Sequence, residues 1–173
     1  QLGYTHVYGP DVVRDYTDPL YSEVLEGALI AVNPGVPQAA INEALFKLRN
    51  IENGKLEQRN IIFTDYLQNG IEVAYFHNGE QKYERVHLID YYHIDRNSFI
   101  VANQWTFQEH SEKRPDEVIF VNGLPLVVIE LKSPSREETD ASEAYRQLRN
   151  YMLEIPSFFV YNAFCVMSDM AET

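Results

Sequence analysis

The chain opens with two stretches in which apolar residues recur at helical spacing. Residues 20–32 follow Pro19 and stop at Asn33-Pro34-Gly35, and a second stretch after Pro37 sets Ile41, Leu45 and Leu48 on one stripe. Two short helices are predicted. A third stretch, residues 55–67, closes at Asn69-Gly70; it suits a helix, although Ile61-Ile62-Phe63 suits a strand equally well. Beyond Ile71 the pattern shortens to β-rich runs at 71–76, 83–89 and 98–107, with a turn at His77-Asn78-Gly79, and antiparallel strands are expected. A hairpin over 117–132, a helix over 140–153 terminated by Pro156, and a last apolar run at 163–166 complete the order. No repeat or linker interrupts it, so residues 1–173 predict one α/β domain.

The hairpin carries the chemistry. Asp116 precedes its first apolar run, Asn122-Gly123 interrupts it, and Glu130-Leu131-Lys132 closes it. Residues two apart on a strand share a face, so Glu130 and Lys132 project together. A two-residue loop at Asn122 and Gly123 would pair Glu130 with Pro115 and send Asp116 to the other face; a loop centred on Gly123 would set Asp116 across from Glu130. The second register is predicted, through a three-residue turn or a bulge. It brings two carboxylates to about 5 Å at Cβ, an arrangement that calls for a cation between them. Magnesium fits, because it prefers carboxylate oxygens, keeps several waters and accepts phosphate oxygens. Lys132 would then orient or deprotonate an attacking water beside the ion. On the following helix Gln147 and Tyr151 are four apart and share one face, within reach of the acids.

Composition limits what such a site works with. A formal net charge of -12 opposes a free-standing DNA-binding surface, so weak DNA affinity is expected of this chain alone. The one cysteine, Cys165, lies in an apolar run and reads as an inert buried thiol. Five scattered histidines form no metal-binding pair, and the twelve tyrosines read as core and sheet packing. With neither a run approaching the roughly 20 apolar residues of a membrane span nor a signal pattern, the expectation is a soluble, cytoplasmic protein without a membrane partner.

The string Arg114-Pro115-Asp116, then Phe120-Val121-Asn122-Gly123-Leu124-Pro125-Leu126-Val127-Val128-Ile129-Glu130-Leu131-Lys132, resembles the nuclease domain of the R (HsdR) subunit of type I restriction enzymes. The resemblance continues through Gln147-Leu148-Arg149-Asn150-Tyr151, Ile155-Pro156 and Phe159-Val160-Tyr161-Asn162-Ala163, and upstream through Leu2-Gly3-Tyr4 and Val32-Asn33-Pro34. It implies a restriction-endonuclease-like PD-(D/E)xK fold, with a central mixed or antiparallel sheet flanked by helices. It also implies a Mg²⁺-dependent DNA endonuclease domain from a bacterial or archaeal R subunit. Asp116 and Glu130 would be metal ligands with the Leu131 backbone carbonyl, Lys132 the catalytic lysine, and Gln147 and Tyr151 supporting residues. Glu23, with Glu26 as its rival, would be the acidic residue contributed by the first helix. Partners implied are double-stranded DNA and the methylation and specificity subunits, with ATP used only by a motor for which these 173 residues hold no phosphate loop, so a fragment of a longer subunit is expected. Two alternatives stand beside this reading: a nuclease-like docking module without catalysis, and a stand-alone repair or phage-type nuclease of the same fold.

Overall fold

A computed structural model describes residues 3–51, 54–131 and 141–168. Its centre is a five-stranded mixed sheet of β1 (Thr5–Tyr8), β4 (Phe99–Asn103), β7 (Glu117–Val121), β8 (Leu124–Leu131) and β9 (Phe164–Ser168), in the order β1-β4-β7-β8-β9. The inner pairs β4·β7 and β7·β8 are antiparallel, whereas the outer pairs β1·β4 and β8·β9 are parallel. β2 (Ile71–His77) and β3 (Glu80–Val86) form a separate hairpin, and β5 (Phe107–Gln108) with β6 (Glu112–Lys113) a small ribbon.

Both faces of the sheet are covered, which is why its strands read as nearly continuous apolar runs. One face packs on α1 (Ser22–Val32), α2 (Gln38–Arg49) and α3 (Leu56–Asn69), through Leu25, Leu29, Ile41, Leu48 and Phe63. In α1 the buried positions Leu25, Ala28, Leu29 and Val32 follow helical spacing, as do Ala40, Ile41, Ala44 and Leu48 in α2. The ambiguous Ile61-Ile62-Phe63 is helical: Phe63 is fully buried while Ile61 is exposed, a split that a rotation of 100° per residue imposes. The other face packs on α4 (Ala141–Glu154) and α5 (Pro156–Phe159), through Leu148, Tyr151, Ile155, Phe158 and Phe159, with Trp105 and Phe107.

One sequence expectation needs correction. The apolar run at 98–107 is not one strand: β4 stops at Asn103, Gln104 adopts a left-handed φ of 54°, and Trp105 turns back into the core 4.7 Å from Phe120 between ring centroids. The central sheet is mixed, because β1 and β9 each add in parallel at an edge after long connections, while the runs at 71–76 and 83–89 give an antiparallel pair as expected. β1 itself went unforeseen; its residues are mostly exposed, so they carry no apolar alternation.

The β7–β8 hairpin combines both registers considered above. Asn122 (φ 54°) and Gly123 (φ 80°) form a two-residue turn, with Val121 paired to Leu124 and Phe120 to Pro125. A bulge then intervenes, and Ile119 pairs with Val127, Val118 with Val128 and Glu117 with Ile129. Leu126 is the extra residue. Leu126 and Val127 consequently both enter the core on the α1–α3 side, and Val128 enters the opposite one. One step beyond Glu117·Ile129, this register sets Asp116 across from Glu130.

The turn is locked from several directions. Asn122 is fully buried; its Oδ1 accepts from Ser98 N (2.7 Å), and its Nδ2 donates to Leu88 O (2.9 Å) and Asn97 Oδ1 (2.8 Å). Gly123 O accepts from Tyr21 N (2.9 Å), and a Cβ at Gly123 would lie 2.8 Å from Tyr21 O, so only glycine admits the start of α1 here. Asn122→Ala strands the Ser98 N–H and Leu88 carbonyl in the interior. The expected cost is at least about 2 kcal/mol, read as a lower urea midpoint at unchanged m. A loss below roughly 0.5 kcal/mol, within surface-substitution scatter, would show that these bonds do not hold the turn.

Candidate active site at the open end of the hairpin

The hairpin's open end gathers four of the residues singled out from the sequence. Asp116 is half-buried beside β7, and its Oδ2 accepts from the Leu131 backbone N–H at 2.9 Å. Its backbone carbonyl accepts from Gln104 N at 2.8 Å, and its Oδ1 from Gln104 Nε2 at 3.4 Å. Glu130, near the end of β8, is 1% exposed, a burial that an ionised carboxylate tolerates only among polar partners or a cation. Its Oε2 accepts from Gln147 Nε2 at 2.7 Å.

The helix supplies the rest through its spacing. Leu148, Tyr151 and Ile155 of the α4–α5 region are buried against the sheet, which brings Gln147 and Tyr151 over Glu130. Gln147 Nε2 carries two hydrogens, one for Glu130 and one for the Tyr151 hydroxyl oxygen at 2.7 Å. Burial first, and then the negative charges of Glu130 and Asp116 with a hydrogen bond to Glu130, push the Tyr151 phenol up to about 12, against the opposing Gln147 bond. Tyr151 therefore stays a neutral donor beside the acids at any pH near neutrality.

Other candidates fall elsewhere. Lys132 lies outside the described residues. Glu23 is not brought to the acids: it is exposed in the first turn of α1, whose start is fastened to Gly123 at the turn end of the hairpin. Glu130 is at the other end, about 20 Å away at roughly 3.3 Å per strand residue. Glu26 is likewise exposed, and accepts from Gln38 Nε2 at 2.8 Å. Among the described residues no group of three or more His, Cys, Asp or Glu side chains could hold a metal ion. Asp116 and Glu130 offer carboxylate oxygens, donors that would suit a hard ion that keeps waters.

Two readings of single residue types come out differently. Cys165 is half-buried; burial and the Glu130 charge push its thiol up to about 11, and its Sγ donates to Asn162 Oδ1 at 3.4 Å, which disfavours the reactive thiolate, in line with the expectation. The tyrosines are not mainly core residues. Only Tyr21, Tyr75, Tyr151 and Tyr161 are buried, while Tyr83 and Tyr92 are 76% and 94% exposed. Sequence reasoning also missed Gln104 and Asn162. Asn162 Nδ2 donates to the carbonyl of the bulge residue Leu126 at 3.1 Å, beside Ala163 N at 2.8 Å. Its place after an aromatic run at the start of β9 gave no polar signal of that task.

With this geometry in hand, comparison with known proteins identifies the class. Residues 1–173 match the family described as type I restriction enzyme R protein N terminus, and the chain belongs to that family. It is 36% identical over 178 residues to the type I restriction enzyme HindI endonuclease subunit of Haemophilus influenzae, covering 97% of this chain and 17% of that protein. It is 32% identical over 182 residues to the putative type I restriction enzyme MjaIXP endonuclease subunit of Methanocaldococcus jannaschii, covering 99% and 17%. A further relative there, the putative MjaVIIIP endonuclease subunit, is 30% identical over 156 residues, covering 88% and 15%. The chain therefore spans about a sixth of the length of these relatives. No helix of the described residues is long and apolar enough to cross a membrane.

The two raised phenols give a direct test. Tyr151 and Tyr161 are each held at about 12, above the ordinary value near 10, so between pH 10 and 12 the folded chain keeps protons that the unfolded chain releases. Stability contributed by these groups is present below pH 10 and is lost as pH rises towards 12. An ultraviolet titration is expected to show a late phenol phase near pH 12 that loses amplitude in Tyr151→Phe; an unchanged late phase would contradict the environment described.

Proposed function

We propose that the open end of the β7–β8 hairpin is the centre of a Mg²⁺-dependent DNA endonuclease domain with a PD-(D/E)xK architecture, acting within a type I restriction enzyme R subunit. The observation that carries the reading is the bulge at Leu126, which turns Glu130 onto the face of Asp116 and under Gln147 and Tyr151. Two acids at adjacent strand ends, one of them almost fully buried, make an oxygen-only donor pair whose mutual repulsion a divalent cation relieves.

Asp116, Glu130 and the Leu131 carbonyl would hold the ion. When bound, magnesium polarises a phosphodiester and lowers the pKa of a coordinated water. The protein's own part is orientation. Leu131 N–H fixes one oxygen of Asp116, and Gln147 fixes one oxygen of Glu130. Tyr151, neutral and hydrogen-bonded, keeps a proton beside Glu130 and closes the apolar side of the site against water. Lys132, two residues beyond Glu130, supplies a compact positive charge for the attacking water or the transferring phosphate.

The net charge of -12 assigns tight DNA binding to other parts of the assembly. In the whole enzyme these would be an ATP-driven motor that moves DNA to this site and the methylation and specificity subunits that choose the sequence. Weak DNA affinity of this chain alone follows, and nanomolar binding in a gel-shift titration at about 0.15 M salt would contradict it. Isothermal titration with Mn²⁺ tests the centre itself. Binding at millimolar concentration or better is expected, and Asp116→Ala and Glu130→Ala should each abolish it together with metal-dependent nicking of plasmid DNA by the intact enzyme. Absence of binding, or binding unaltered by Asp116→Ala, would leave a docking module in place of a nuclease.

A further inference from the structure

Among the described residues three other than glycine have positive φ, and two of them, Asn78 and Asn122, precede glycines in hairpin turns. That is ordinary turn chemistry for asparagine. The third is Gln104, with φ 54°, in no hairpin and followed by Trp105. Glutamine has neither the short side chain that eases this conformation for asparagine nor glycine's missing Cβ, so the backbone is strained here. The strain is locked in from outside: Gly9 passes so close that a Cβ on it would lie 2.5 Å from the Gln104 carbonyl oxygen and 2.9 Å from that of Asn103. What the conformation achieves is visible in the hydrogen bonds. Gln104 N donates to the Asp116 carbonyl, and Gln104 Nε2 approaches Asp116 Oδ1, while Leu131 N occupies Oδ2. Only the NH₂ end of the amide suits a carboxylate, which fixes its orientation.

We propose that Gln104 is a positioning residue for Asp116. Its left-handed backbone ends β4 and turns the amide onto one carboxylate oxygen, so that Asp116 is gripped from both neighbouring strands, β4 through Gln104 and β8 through Leu131. The proposal rests on the metal-centre reading above, since an outer hydrogen bond to a ligand acts on affinity by orienting that ligand.

The test compares Gln104→Gly, Gln104→Asn and Gln104→Ala with Asp116→Ala, measuring the metal-free melting temperature and Mn²⁺ affinity. Glycine and asparagine both accept the left-handed conformation but lack an amide long enough to reach. Their metal-free melting temperature should equal or exceed that of the starting protein, with Mn²⁺ bound about tenfold more weakly, the lower end of the range for lost outer partners. The Mn²⁺-induced rise in melting temperature should shrink accordingly. Gln104→Ala, which loses the amide and keeps the strain, should lose both stability and affinity. Unchanged Mn²⁺ affinity in the glycine and asparagine variants, with Asp116→Ala abolishing binding, overturns the role of Gln104 alone. So does a fall in their metal-free melting temperature without a loss of affinity. Mn²⁺ binding that survives Asp116→Ala overturns the metal centre, and the positioning role with it.

Discussion

One extra residue in one strand decides what the centre of this molecule is. The Asn122-Gly123 turn on its own would send Glu130 to the face covered by α1–α3. A carboxylate on that apolar face would lie away from Gln147 and Tyr151, and the cost of burying it would fall on folding directly. The bulge at Leu126 moves Glu130 to the face where Gln147 and Tyr151 wait. The cost of the bulge is partly offset by its carbonyl, which accepts from Asn162 Nδ2 and Ala163 N. The irregularity in β8 is thus also the point at which β9 is fastened to the sheet.

The site is built from parts whose positions are secured far from it. Asn122, Gly123 and the start of α1 fix the closed end of the hairpin, and the apolar layers on either side fix its tilt. At the open end Glu130, Gln147 and Tyr151 are linked by hydrogen bonds, and Asp116 is held by Leu131 and Gln104. Such a chain of partners orients the two acids through amide and hydroxyl groups.

Much of this was legible from residue order. Helical spacing marked α1 and α2, the Asn-Gly pairs marked both hairpin turns, and the spacing of Gln147 and Tyr151 marked the face of α4 that meets the acids. The need for a bulge or a wider turn followed from asking which register would bring Asp116 and Glu130 together. What was not legible had physical reasons. β1 is exposed and lacks alternation; the end of β4 depends on a strained φ at Gln104 that no composition announces. The parallel edges require long-range pairing, which local pattern does not encode. Glu23 was chosen for its place on the first helix, yet that helix begins at the far end of the hairpin. The family match across residues 1–173 agrees with the resemblance drawn from the hairpin and α4 strings.

Gln104 and the bulge share a logic: each departs from regular strand geometry, Gln104 next to Asp116 and the bulge earlier on the strand that carries Glu130, and each is secured by a neighbouring segment, Gly9 in the one case and Asn162 in the other. For the bulge the consequence is one of parity. Along the hairpin between Asp116 and Glu130, insertions or deletions in pairs preserve which side each acid looks towards, and odd ones exchange it. A loop-length variant that gains one residue at the turn would keep every chemical group of the site and yet divide it between two faces of a sheet, where no rearrangement of side chains could reunite it.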